Sequence, residues 1–184
     1  MTPRPSTIIA FWLEAGRKAW FVKTAAFDSA IREAFETDHF AAARGERDDW
    51  TGTADGSLAL LLLLDQVPRN LWRGTAHAFA TDPLARNVAR AAVGRGHDRA
   101  ATAALRQFFY LPFEHSEDVA DQALGVELCE ALDRETGDSD WLKWARLHSD
   151  IIARFGRFPH RNRCLGRETS PDEQAFLDQG GFGG

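Results

Sequence analysis

The chain has 184 residues, 44% hydrophobic and 27% charged, with a net charge of −5 at pH 7 and a pI near 5.7. Thirteen Phe and six Trp exclude a disordered chain, and the acidic balance excludes general nucleic-acid binding, which needs a broad basic face. The length fits one domain, expected to span 1–184 with a mobile head (1–6) and tail (179–184).

No stretch alternates with period two, and helical punctuation recurs throughout, so the chain reads as all-α. Ile8, Ile9, Phe11, Trp12 and Leu13 make a first helix closed by Gly16, and Phe27, Ile31 and Phe35 recur at spacing four through a second. Asp55 is the expected cap of a third helix, whose apolar run from Leu58 to Leu64 faces all directions and so belongs at the centre; Pro68 interrupts or restarts it. Asp82 and Pro83 read as the N-cap and first turn of a helix ending near Gly94, and Asp98 opens another running toward Phe109. Ser116 precedes a long helix to about Glu135, which Gly137 ends. Trp141, Trp144, Leu147, His148, Ile151 and Phe155 define the next, the last four on one apolar face, with His148 in an inward stripe shared with Trp144, Ile151, Ile152 and Phe155. Ser170, Pro171 and Glu173 form a capping box for a short final helix. The sum is about nine helices joined by short loops, expected as antiparallel stacked pairs or an orthogonal bundle. A 34-residue tetratricopeptide consensus does not repeat, so solenoid-like stacking would have to be degenerate.

Cys129 and Cys164 belong to no metal-binding spacing. Cys129 lies in an apolar-periodic helix and Cys164 in an Arg-rich loop, and both are expected as reduced thiols. The N-terminus lacks a signal-peptide arrangement, and the run Leu58 to Leu64 is far below the roughly 20 residues needed to cross a bilayer. The expectation is a soluble, cytoplasmic protein with no membrane and no nucleic-acid partner.

The stretch FGRFPHRN, residues 155 to 162, is the richest in chemistry. Arg154, Arg157, Arg161, Arg163 and Arg167 surround His160 and Asn162 just after a helix, and forked guanidinium donors match carboxylate or phosphate oxygens. The same residues would equally serve as a structural loop that satisfies buried carbonyls, in a chain that uses nineteen Arg and three Lys. Asp65, Gln66, Arg69, Asn70 and Arg73 cluster where the most apolar helix ends. There Asp65 either helps bind a ligand or satisfies Arg69 and the groups freed by Pro68. Glu114 and His115 adjoin at a helix junction, an acid/base pair or a pair of metal ligands, while Ser116 and Glu117 read as cap and dipole partner of the next helix. His115, His148 and His160 could complete a three-histidine metal centre, but no pair has HExxH or similar spacing, so no metal is assigned.

The phrases LALLLLLDQVPRNLWRGTAHAFATD, FFYLPFEHSE and HSDIIARFGRFPHRNRCLGRE, with FWLEAGRKAWFVK near the start, closely resemble the bacterial family catalogued as domain of unknown function 924, from about Ile8 to Leu177. The resemblance implies an all-helical, tetratricopeptide-like fold and no established activity. The positions it carries over are Trp20 and Phe21; Asp65, Gln66, Arg69, Asn70 and Arg73; Glu114 to Glu117; His148; Phe155 to Asn162; and Gly166 with Arg167.

Two functions follow as expectations. The first is a pocket for a small anionic or phosphate-bearing metabolite, needing no cofactor. Asp65, Arg69, Asn70, Arg73, Arg157, Arg161, Asn162 and Arg167 would bind the ligand, and Glu114, His115, His148 and His160 would carry acid/base or hydrolytic chemistry. A Ser116 nucleophile would lack the strand-turn-helix elbow. The second is a helical interaction module for a peptide or protein, in which the same polar residues form an internal network.

Overall fold

The computed structural model describes residues 4–183. Among these there is no β-strand, and no helix is long and apolar enough to cross a membrane. The α-helical segments are α1 (Pro5–Phe21), α2 (Ala25–Ala43), α3 (Ala54–Leu61), α4 (Val67–Leu71), α5 (Asp82–Gly94), α6 (His97–Ala100), α7 (Ala103–Arg106), α8 (Leu111–Glu114), α9 (Val119–Thr136), α10 (Asp140–Phe155) and α11 (Pro171–Asp178). They outnumber the nine expected because α6, α7 and α8 are single four-residue turns. The helix expected from Asp98 to Phe109 is instead α6, α7 and a 3-10 turn, and Asp98 is a buried acceptor for the Tyr110 hydroxyl at 2.9 Å. The chain forms two compact units. The first runs to Arg73 and includes His77–Pro112; the second holds Gly74–Ala76 and the residues from Phe113 onward.

In the first unit α1 breaks at Gly16, as its sequence implies, and α3 packs against both α1 and α5. Every residue from Leu58 to Leu64 is buried, which fits an apolar run with no polar face. Pro68 does not end this helix. Leu62–Gln66 widen into a π turn, and the Val67 amide donates to the Leu62 carbonyl, five residues back. That shift releases the Leu63 carbonyl, and Pro68 has no N–H for the Leu64 carbonyl. Both oxygens lie in a dry core, where an unpaired carbonyl is expensive. His39 on α2 donates Nδ1–H to Leu63 at 2.8 Å, and the Thr81 hydroxyl donates to Leu64. Burial holds the His39 pKa below its usual value, so the ring is neutral with its proton on Nδ1. With its hydroxyl so engaged, Thr81 precedes α5 without capping it, and Asp82, expected as the cap, pairs with Arg69. The cap of α3 is likewise Thr53, not Asp55.

In the second unit α9 and α10 form an antiparallel hairpin: Gly137–Ser139 join them, and Arg146 reaches Glu130 at 2.9 Å from equal distances along the two arms. The buried face of α10 is Trp141, Leu142, Ala145, His148, Ile151 and Ile152. Trp144, expected to point inward with them, lies on the flank of this face and is 45% exposed. Asp118, not Ser116, caps α9 through its side chain; the Ser116 hydroxyl donates to Asp121. The Ser170 and Glu173 capping box of α11 is present as read.

Replacing Thr81 with Val should destabilise the protein by about 1–3 kcal/mol, because the Leu64 carbonyl stays buried without a donor. Pro68→Ala offers that carbonyl a backbone amide, so the loss from Thr81→Val should shrink in that background. Urea unfolding of the four proteins measures the coupling; strictly additive losses would mean that Pro68 does not create the need for Thr81.

Candidate functional site

The second unit gathers most of the residues singled out by sequence. α10 ends at Gly156, whose φ of 69° is a left-handed conformation that a side chain would strain, and the turn carries the chain into Arg157–Asn162. The arginines of this loop meet internal carboxylates. Arg157 donates Nε to Glu173 Oε1 at 2.6 Å and Nη2 to Oε2 at 2.8 Å, with a further bond to the Glu168 carbonyl. Arg167 binds both oxygens of Glu117 at 2.7 and 3.0 Å, and reaches the Phe158 carbonyl and Asn162 Oδ1. Glu117 also accepts the Phe158 amide at 2.8 Å. Burial alone would raise its pKa, but the Arg167 and Phe158 hydrogen bonds outweigh that and hold it below the usual carboxylate range. Glu117, expected to complement the dipole of α9, is therefore a clamp on the Arg-rich loop. Arg161 is buried, with its guanidinium 4.5 Å from the centre of the Phe158 ring.

The histidines form a separate cluster beside this loop. Glu114 closes α8 and is 2% exposed. Its Oε2 lies 3.7 Å from His148 Nδ1, and its Oε1 accepts the Cys129 thiol at 3.5 Å. His148 Nδ1 also lies 2.8 Å from the Trp144 carbonyl, which can only accept, so this nitrogen carries a proton. The His115 ring meets His148 edge-on at 6.1 Å between centroids. Phe182, from the glycine-rich tail, packs on His148 at 4.7 Å and on His160 at 5.2 Å. Gly181 allows this: a Cβ there would stand 2.5 Å from the Phe176 carbonyl. Burial and the Glu114 charge push the Cys129 thiol far up, which makes it inert packing. Among the described residues no group of three or more His, Cys, Asp or Glu is arranged to hold a metal ion.

The remaining candidates lie in the first unit. Arg69 is held by Asp82 at 2.8 and 2.9 Å and by Asp65 at 3.0 Å; burial opposes its charge, and the two carboxylates more than offset that, raising its pKa. Asn70 donates to the Gln66 carbonyl and accepts from Arg73, which also grips Asp28. Sequence reading did not find Glu117 or Glu173 as arginine partners, nor Phe182. The capping box flagged Glu173, but nothing in the spacing announces its second bond to a residue sixteen positions upstream.

Residues 8–181 match the model of a family described as bacterial protein of unknown function (DUF924). The chain belongs to that family. A similar solved structure is that of a protein of unknown function, ATU0120, from Agrobacterium tumefaciens, with 51% sequence identity, a TM-score of 0.91, and coverage of 95% of this chain and 97% of that one. Comparison with curated proteins gives no match.

In this DUF924 chain the Arg157 hydrogen bonds, helped by the Ser170 amide, hold Glu173 to about 2. A lowered folded-state pKa contributes stability that is fully present above the unfolded value of about 4.3 and fades as pH falls toward 2. The stability gap between wild type and Glu173→Gln should thus be constant near neutrality and narrow below about pH 4.3. Urea midpoints measured across that range check it; a gap that does not narrow would show that the pair does not set the carboxylate's titration.

Proposed function

We propose that the second unit binds a small anionic metabolite, phosphate-bearing or carboxylate, beside the histidine cluster and performs an acid/base step such as hydrolysis there. The observation that carries this reading is the Glu114–His148 arrangement. A carboxylate 2% exposed and a backbone carbonyl converge on Nδ1 of one imidazole, which fixes its tautomer and leaves Nε2 as a base. His115 and His160 adjoin it, one beside His148 and the other across Phe182, and can supply a proton or a positive charge. Arg161 stacks on the Phe158 ring, which also meets His148 and His160, so its charge lies next to this cluster. In the reaction, His148 Nε2 takes a proton from water as the hydroxide attacks, and the leaving group receives a proton from His115 or His160.

A second reading is a tetratricopeptide-like interaction module. It is supported by the α9–α10 hairpin and by the flank of α10, where Trp144 and Leu147 are 45% and 36% exposed. In that case a peptide would cover Trp144 and leave the histidines untouched.

Inorganic phosphate is expected to raise the melting temperature more than chloride at matched ionic strength, with a stabilisation of roughly 2.7 kcal/mol at a hundredfold excess over Kd. His115→Ala and His160→Ala should keep the fold and abolish this shift. His148→Ala should lose about 2–4 kcal/mol of stability, since it leaves a cavity and buried partners. Equal shifts in phosphate and chloride, or phosphate shifts that survive both His115→Ala and His160→Ala, would defeat the anion reading.

A further inference from the structure

The first unit contains a trough that none of the residues above explains. One face of α5, built from Leu84, Asn87, Val88, Ala91 and Arg95 at helical spacing, looks across to Ala42, Ala43 and Gly45 at the end of α2. Leu60 and Leu64 form the floor, each at most 2% exposed. The small residues on both walls leave a cavity of about 350 Å³ open to solvent on one side, within the range of about 300–1,000 Å³ usual for small-ligand sites.

The polar edge is built around the Asp48–Gly52 turn. Thr51 donates its hydroxyl to the Asp48 carbonyl at 2.7 Å, and Arg95 donates Nη1 to the Thr51 carbonyl at 2.8 Å. Arg95 is therefore positioned by the backbone and not by a carboxylate, and keeps further donors for a ligand. Among the described residues no hydrogen bond or ion pair engages the Asp48 carboxylate or the Asn87 amide, although both line the trough. An acid and a guanidinium thus border one apolar cavity without neutralising each other.

We propose that this trough binds a free α-amino acid with an apolar side chain. Asp48 takes the ammonium group, Arg95 takes the carboxylate, Asn87 adds a hydrogen bond, and the side chain lies on Leu60 and Leu64. A fatty acid would leave Asp48 facing a like charge, and a simple amine would leave Arg95 unmatched, so the zwitterion is the ligand that satisfies both ends.

Isothermal titration of the full chain with L-leucine, L-methionine and L-phenylalanine tests this, with isoamylamine, isocaproate and glycine as ligands that each lack one of the three features. At least one amino acid should bind, and each truncated ligand should bind about tenfold more weakly or worse, the loss expected for one good contact. Asp48→Asn, at an exposed position, should weaken the amino acid and not isocaproate. Ala91→Trp, also at an exposed position, should fill the trough and abolish binding, with melting temperature confirming the fold. The proposal is overturned if none of the three amino acids binds, if isoamylamine or isocaproate binds as tightly, or if the Asp48→Asn and Ala91→Trp variants bind like wild type.

Discussion

Carbonyl oxygens released where helices break inside a dry core have to find donors, and much of the polar chemistry of this protein follows from that requirement. An unbroken helix satisfies its own backbone; a short or widened one does not. In the first unit the π turn frees the Leu63 carbonyl and Pro68 leaves that of Leu64 without an amide, and His39 and Thr81 answer them. In the second, Gln122 reaches the carbonyls of Glu114 and Ser116 at 2.7 and 2.6 Å. Each donor belongs to a different element from its acceptor. The breaks are thus what tie the helices of each unit together in a specific arrangement, where apolar contact alone would tolerate sliding.

The same logic redistributes the arginines. A loop with five guanidiniums looks like an anion receptor while the partners are invisible. Two of the five turn out to close bidentate pairs with Glu117 and Glu173, and these pairs pin the loop to the segment that leads into α9 and to α11. Pairs of this kind, partly buried and extended by backbone bonds, hold geometry better than isolated surface pairs do. The chemical interest then moves to the imidazoles. Nδ1 of His148 is committed to an acceptor on its own helix and faces Glu114, and this is the type of orientation that a working base requires.

Features that depend on near neighbours in the chain were legible in the sequence: the all-α class, the buried run Leu58–Leu64, the ends of α5 and α9 at Gly94 and Gly137, and the Ser170 capping box. Asp55, Asp82 and Ser116 were all expected as caps, and in each case a nearby residue or a distant partner took precedence. Asp82 serves a guanidinium thirteen residues away, and Ser116 serves Asp121. Capping rules see only one end of a helix, and a carboxylate beside a buried arginine gains more from that charge than from an amide. Trp144 was misplaced because a stripe drawn on a helical wheel does not reveal how wide the covered face is. Glu117, Glu173 and Phe182 owe their positions to contacts across long sequence separations, which no local pattern encodes.

The π turn also fixes a phase. A helix advances by roughly 100° per residue, so one extra residue in Leu62–Gln66 rotates everything after it by that amount relative to α3. In this setting Arg69 meets Asp82 and Arg73 meets Asp28. A lineage that lost this residue would regain a regular helix and turn both guanidiniums away from their acids at once. The widened turn therefore works as a register pin, holding two ion pairs in phase through a single backbone irregularity.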